Sequence, residues 1–167
     1  MLRPFSLADA PEVQRMAGDF DIARTTLSIP HPYEPGVAES WISTHPSLWN
    51  RGSAVVCAVV RRLDDRLVGA CGLTIDRDHD RAELGYWIGK PFWGNGYATE
   101  ASAALVRYAF ESGLNRVMAR HFGGNVASGR VMQKIGMRQE GVMRQHLRRW
   151  GRLHDIVIYA VLAGDSP

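Results

Sequence analysis

Apolar and polar positions alternate with a period of two from Ala82 to Ile88. Ala82, Leu84, Tyr86 and Ile88 fall on one side, and Glu83, Gly85 and Trp87 on the other. That pattern predicts a strand with two unlike faces. Pro91, which has no N–H to donate, stops further pairing. A helical period follows. Ala101, Ala104, Leu105, Tyr108 and Ser112 share a face, and Gly113 stands where a helix-terminating glycine belongs. Gly94-Asn95-Gly96 therefore joins a strand to a helix.

The same two periods organise the rest of the chain. Leu2–Phe5 reads as a first strand. Ser6 or Asp9 caps the helix after it, Pro11 falls in its first turn, Val13, Met16 and Ala17 face inward, and Gly18-Asp19 ends it. Asp21–Leu27 reads as another helical turn. The three prolines between Ile29 and Gly36 enforce a loop. Val37 to about Ser47 suits a helix with Trp41 and Ile42 inward. Ser53–Arg61, nearly all β-branched or small, suits a strand covered on both faces. It turns at Leu63–Arg66 into Leu67–Ile75, forming a hairpin. Asp76–Asp80 is a charged turn into the alternating strand. Asn115–Arg120 reads as a strand, His121–Asn125 as a loop, and about Val126–Ile135 as a helix closed by Gly136. Met137–Met143 and Leu153–Leu162 read as a last strand pair, with an arginine-rich segment between them. Antiparallel runs broken by one parallel crossover predict the α+β class. The expected architecture is one domain over residues 1–167, with a mixed, mostly antiparallel central sheet of about seven strands flanked by helices.

A chain of 167 residues can bury a real core. Its 46% hydrophobic and 22% charged content is ordinary for a soluble globular protein. Met1–Pro4 lacks a signal-peptide core, and no apolar run nears the ~20 residues of a membrane span. The expected compartment is the cytoplasm. The net charge of +3 is mild, but Arg144, Arg148, Arg149 and Arg152 cluster near His146 and His154. A solvated hairpin face or a grip on anionic cofactor phosphate accounts for them better than nucleic acid does. Cys57 and Cys71 sit in apolar strands and read as buried small hydrophobes, with no disulfide expected in a reducing compartment. No Cys-x-x-Cys or close His pair suggests a metal, and none is expected.

Candidate chemistry gathers at the strand-to-helix junction. The first N–H groups of a helix lack intrahelical acceptors, and the dipole places roughly +0.5 charge there. Glycines allow close approach of a phosphate and positive φ, and Thr99 could add a hydroxyl. A lone Gly-x-Gly, however, more often makes a plain turn. It is not a P-loop, since no Gly-Lys-Ser/Thr follows. Nor is it the dinucleotide fingerprint, which would need a third glycine where Thr99 stands.

The longer run is more specific. Leu84-Gly85-Tyr86-Trp87-Ile88-Gly89, then Phe92-Trp93-Gly94-Asn95-Gly96-Tyr97-Ala98-Thr99-Glu100-Ala101, resembles the acetyl-CoA-binding core of GNAT-superfamily N-acetyltransferases. It looks closest to the branch holding the ribosomal-protein N-terminal acetyltransferases (RimJ/RimL-like). The specific likeness runs from Glu83 to about Tyr159; the first half is similar in layout only. The family's Gln/Arg-x-x-Gly-x-Gly/Ala pattern falls on Trp93, Gly96 and Ala98. Trp93 departs from the general first residue and agrees with the branch.

The resemblance implies a set of roles. Main-chain amides of Gly94, Asn95, Gly96, Tyr97, Ala98 and Thr99 would hold the pyrophosphate of acetyl-CoA. The strand ahead would splay from its neighbour and pair with the pantetheine arm at Trp87, Ile88 and Gly89. Asn125 would contact the pantetheine amide, Ser128 would lie near the cofactor sulfur, and Lys134 would reach phosphate. Taken alone, Ser128 equally well caps a helix or bonds a carbonyl one turn back, and Lys134 is equally well an exposed helix-end lysine.

Acetyl transfer to an amine also needs a neutral amine, an oxyanion donor and help for the leaving thiolate. Neutralising a lysine-like amine at pH 7 costs roughly 4.6 kcal/mol, and an α-amine roughly 1–1.4 kcal/mol. Glu83 is the candidate base, with His121 and His146 weaker alternatives; a solvated Glu83 paired to an arginine competes with that role. The N–H of Ile88 or Gly89 would serve as oxyanion donor, and the Ser128 hydroxyl would attend the thiolate. Cys57 and Cys71 are expected away from the site, so direct attack in a ternary complex is favoured over an acyl-enzyme. The expected acceptor is a primary amine, foremost a protein N-terminal α-amine. Amino acids, antibiotics and polyamines remain alternatives, as does a non-catalytic acyl-CoA-binding domain. Specificity is expected from the His31–Pro35 loop, the helix around Trp41 and Arg144–Arg152. A cleft with Tyr33, Trp41 and Trp150 would favour a peptide. No membrane partner is expected, and a homodimer is left open.

Overall fold

Seven strands form one mixed sheet in the computed structural model, which describes residues 1–165. The last two residues of the expected domain, Ser166 and Pro167, lie outside the described residues. The strands are β1 (Leu2–Pro4), β2 (Ala54–Arg61), β3 (Arg66–Asp76), β4 (Arg81–Ile88), β5 (Arg116–Phe122), β6 (Arg138–Arg149) and β7 (Arg152–Leu162). Their spatial order is β1-β2-β3-β4-β5-β7-β6. Only β4 and β5 run parallel, joined by the crossover helix α4 (Tyr97–Glu111). The helices α1 (Ala10–Ala17), α2 (Phe20–Ala23), α3 (Val37–Asn50) and α5 (Val126–Lys134) complete the layers.

The two faces of β4 show how the layers are assigned. Tyr86 reaches α5, where its hydroxyl meets Ser128. On the other parity, a Cβ at Gly89 would stand 2.5 Å from the Met16 sulfur of α1. Helices α4 and α5 therefore cover one face and α1 the other. Val68, Leu73, Ala82, Leu84 and Val117 are buried between them. Among the described residues, no helix is long and apolar enough to cross a membrane.

Four boundaries differ from expectation, each for a local reason. Helix α2 ends at Ala23 rather than Leu27, where the hydroxyls of Thr25 and Thr26 bond back to the carbonyls of Ile22 and its neighbours. Helix α3 continues to Asn50, past Pro46, with Ile42 and His45 held in the core. His121 and Phe122 are not loop but the end of β5, paired with Val157 and Ile156. The arginine-rich segment is not a connection either. It extends β6 to Arg149 and turns on two residues, Trp150 and Gly151, with φ of 46° and 76°. Two positive-φ residues are what a tight hairpin of the right twist requires.

Candidate active site

The β4–β5 ladder stops early. Arg81 to Leu84 pair with Arg116 to Ala119, and nothing beyond them pairs. On its other edge β4 stays bonded to β3 as far as Ile88. The two parallel strands thus diverge from Gly85 onward, leaving an opening in the middle of the sheet. The N–H of Gly89 is committed to the Val68 carbonyl at 2.8 Å, so Gly89 is not an oxyanion donor as expected. Strand alternation then turns the N–H and C=O of Tyr86 and Ile88 toward the opening. The Ile88 carbonyl receives the indole N–H of Trp93 at 2.6 Å, and the Ile88 N–H is a free donor at the opening.

The loop after β4 ends at the start of α4. Gly94 and Gly96 hold φ of 79° and 80°, a left-handed conformation that costs glycine little. The Asn95 side chain donates to the carbonyls of Phe92 and Trp93 and stiffens the turn. The Trp93 N–H bonds Lys90 and the Glu100 N–H bonds Gly96. Among the described residues, no protein acceptor meets the N–H groups of Gly94 to Thr99 between them. A row of unpaired amides at the positive end of a fifteen-residue helix is an anion cradle.

Across the opening stands the N-terminus of α5. Asn125 caps that helix, its Oδ1 accepting the Ser128 N–H at 3.2 Å. The hydroxyl of Ser128 is 2.8 Å from that of Tyr86, which also donates to the Ser128 carbonyl at 3.1 Å. Burial pushes the Tyr86 phenol up to about 12, against a smaller pull from Ser128. Lys134 is exposed at the last turn of α5, about 9 Å along the axis from Ser128. Glu83 lies on the opposite face of β4, just before the opening, ion-paired to Arg120 at 2.7 Å. His121 is buried beneath α5, with Nδ1 2.7 Å from the Phe122 carbonyl. His146 is exposed on β6. Neither histidine shares Glu83's position. Contrary to expectation, Cys71 is near the site, paired in register with Tyr86. Burial raises its thiol to about 12.

Residues 20–29 cross the mouth. Asp21 of α2 is bridged by Lys90, which follows β4, at 2.6 Å. The Thr25 carbonyl faces the Asn125 amide at 3.5 Å on the other arm. Arg149 of β6 donates to the carbonyls of Ala23 at 3.0 Å and Ile29 at 2.6 Å, and to that of Leu27. Trp150 stacks on Phe20 with centroids 5.3 Å apart. Trp41 is elsewhere, packed edge-on against Phe5 at 5.1 Å and His45 at 4.5 Å, so it does not line the cleft as expected.

Comparison with known proteins gives this geometry a family. Residues 1–138 match the acetyltransferase (GNAT) domain. The chain belongs to the GNAT acetyltransferase family. The uncharacterized N-acetyltransferase p20 of Bacillus licheniformis is 29% identical over 163 residues, spanning 96% of this chain and 91% of that one. The [ribosomal protein uS5]-alanine N-acetyltransferase of Escherichia coli is 26% identical over 148 residues, 80% of this chain and 75% of that one. A crystal structure of the microcin C7 self-immunity acetyltransferase MccE, in complex with acetyl-CoA and AMP, has the same fold. Its TM-score is 0.87 at 21% identity, over 96% of this chain and 91% of that chain. This GNAT chain is thus an acetyl-CoA-dependent N-acetyltransferase. Its own residues suit that donor, with unpaired amides for a diphosphate and an opened ladder for an extended amide-bearing arm.

The sequence reading did not bring Tyr86, Phe20 or the strap made by Arg149 to the opening, and it foresaw an arginine beside Glu83 without naming Arg120. Only Tyr86 had a usable signal. A phenol on the inward face of a strand needs a hydrogen-bond partner.

Proposed function

We propose that the acceptor is the α-amine of a polypeptide N-terminus, attacked directly in a ternary complex. One observation carries this reading: Glu83, at the edge of the opening, is already held by Arg120. An α-amine needs roughly 1–1.4 kcal/mol to be neutral at pH 7 and a lysine-like amine roughly 4.6 kcal/mol, so a single carboxylate acting through water meets the smaller demand with the α-amine. The unneutralised Arg149 beside the mouth also opposes polyamines. Similarity to the uS5-alanine enzyme supports the same acceptor class.

In this reading the expected residues other than Trp87 and Gly89 divide the tasks. The amides of Gly94, Asn95, Gly96, Tyr97, Ala98 and Thr99 hold the diphosphate, and Lys134 adds charge farther along α5. Ile88 and Asn125 align the pantetheine arm, the Trp87 backbone being turned instead to β3 opposite Ala70, and the Ile88 N–H faces the developing oxyanion. Bound acetyl-CoA supplies a thioester acyl group with a thiolate leaving group. Glu83 takes the amine proton through water while the N–C bond forms and the C–S bond breaks. Ser128, oriented by Tyr86, hydrogen-bonds the departing sulfur. Cys71 takes no part, because a covered thiol at about 12 is not a nucleophile at neutral pH.

The test is a mass-spectrometric panel with acetyl-CoA. It compares peptides with free N-termini, the same peptides N-capped but carrying lysine, and spermidine. Acetylation confined to the free α-amines is expected. A higher kcat/KM on capped lysine peptides or spermidine would overturn the assignment.

A further inference from the structure

We propose that the β6–β7 hairpin docks an acidic stretch of the acceptor polypeptide, a few residues after its acetylated N-terminus. The proposal rests on the α-amine reading above. From Gly141 to His154 the chain has four arginines and no Asp or Glu. The whole protein has a net charge of only +3, so the hairpin alone exceeds it. Elsewhere eight of the fourteen arginines pair with a carboxylate, as in Arg3–Asp9, Arg61–Asp64, Arg81–Asp76 and Arg120–Glu83, and the unpaired ones are scattered rather than gathered on one element. Among the described residues, Arg144, Arg148, Arg149 and Arg152 pair with no carboxylate. The adjacent acid, Asp155, turns its oxygen instead to the Gln145 N–H at 2.7 Å.

The pairing of strands sharpens the point. Arg149 stands directly opposite Arg152 in the ladder, and like charges at such positions repel. A face built for stability alone would carry opposite charges there. Position then selects the partner. Arg149 grips the Ala23 and Ile29 carbonyls, and Trp150 stacks on Phe20, so the hairpin tip abuts the segment crossing the mouth. A chain whose first residue lies in the opening must leave past this surface. Extended chain advances about 3.3 Å per residue, and screening reaches about 10 Å at 0.1 M salt. Each hairpin arginine therefore senses charge within about three acceptor residues of it. Single-stranded RNA fits less well, because it needs aromatic faces for base stacking. The Trp150 ring is already taken by Phe20 and by Arg149, 4.4 Å from its centroid.

The experiment uses octapeptides sharing their first two residues and continuing with acidic, neutral or basic residues. Their N-acetylated, fluorescent forms report docking by anisotropy without turnover. The acidic form should bind roughly tenfold tighter than the neutral one at low salt and lose the advantage at high salt. The exposed-residue variant R144E/R148E/R152E should reverse the order while its acetyl-CoA affinity stays unchanged; R144Q/R148Q/R152Q should abolish it if the reversal impairs folding. Equal binding of all three peptides to the wild type, or an order untouched by both variants, would overturn the proposal. So would an RNA dodecamer that binds the hairpin while the peptides remain indistinguishable. Docking without acetylation of the uncapped peptides would overturn the α-amine reading instead.

Discussion

The Tyr86 hydroxyl bridges the middle of the sheet to helix α5, 2.8 Å from the Ser128 Oγ and 3.1 Å from its carbonyl. It thereby fixes the rotamer of the one hydroxyl facing the opening from α5. With its phenol pushed up to about 12, Tyr86 stays protonated through the working range and acts as a donor, not a base. Tyr86→Phe should lower kcat about three- to tenfold, as expected for one hydrogen bond of ~0.5–1.5 kcal/mol. The acetyl-CoA dissociation constant should barely move. Steady-state kinetics beside calorimetric titration checks both, and a loss confined to cofactor affinity would contradict the assignment.

Gly96 combines φ of 80° with a free N–H at the head of α4. Gly96→Ala forces a Cβ into left-handed backbone and should cost about 1–2 kcal/mol of stability. Gly96→Asp adds a carboxylate where a diphosphate is expected and should abolish measurable acetyl-CoA binding. Calorimetry distinguishes the two, since the alanine variant should retain binding with a lower Tm.

Arg149 ties β6 to three carbonyls of the mouth segment, and burial lowers its affinity for its proton. Arg149→Ala should cost about 1–3 kcal/mol and expose the backbone from Thr25 to Tyr33 to limited proteolysis. Arg149→Lys should restore little, because one ammonium cannot reproduce a planar fork.

His45 is buried against Phe5 and Trp41, and neither ring nitrogen finds a protein partner. Burial holds its pKa below the ordinary value. Above about pH 6.5 both folded and unfolded chains keep it neutral, and it makes no pH-dependent contribution. Below that, the unfolded chain takes the proton first, so stability falls with pH by up to about 1.4 kcal/mol per unit. Thermal unfolding between pH 7 and pH 5 should show this slope, and His45→Phe should flatten it.

The strand over 82–88 and the turn at Gly94–Gly96 were legible because side-chain period and glycine placement are local properties. Strand β6 was not. It is an edge strand with little apolar alternation, and its register slips between Met143 and Leu147, where Gln145 takes φ of 50°. Trp150-Gly151 could have been read as a two-residue turn, but flanking arginines masked the strands on either side. At the site, the amide row follows from its own sequence. The Tyr86–Ser128 contact spans 42 positions, and the commitment of the Gly89 N–H depends on β3, so neither leaves a mark on a linear pattern.

Only four residue pairs stitch β4 to β5. The protein is thus two half-sheets sharing a short seam, with unpaired backbone along the gap. The acyl donor, whose arm carries amides of its own, can lie in that gap like a missing thread. Loading it should stiffen the two halves against each other, slow hydrogen exchange at Tyr86 and Ile88, and raise the melting temperature. The architecture is finished by what the enzyme consumes.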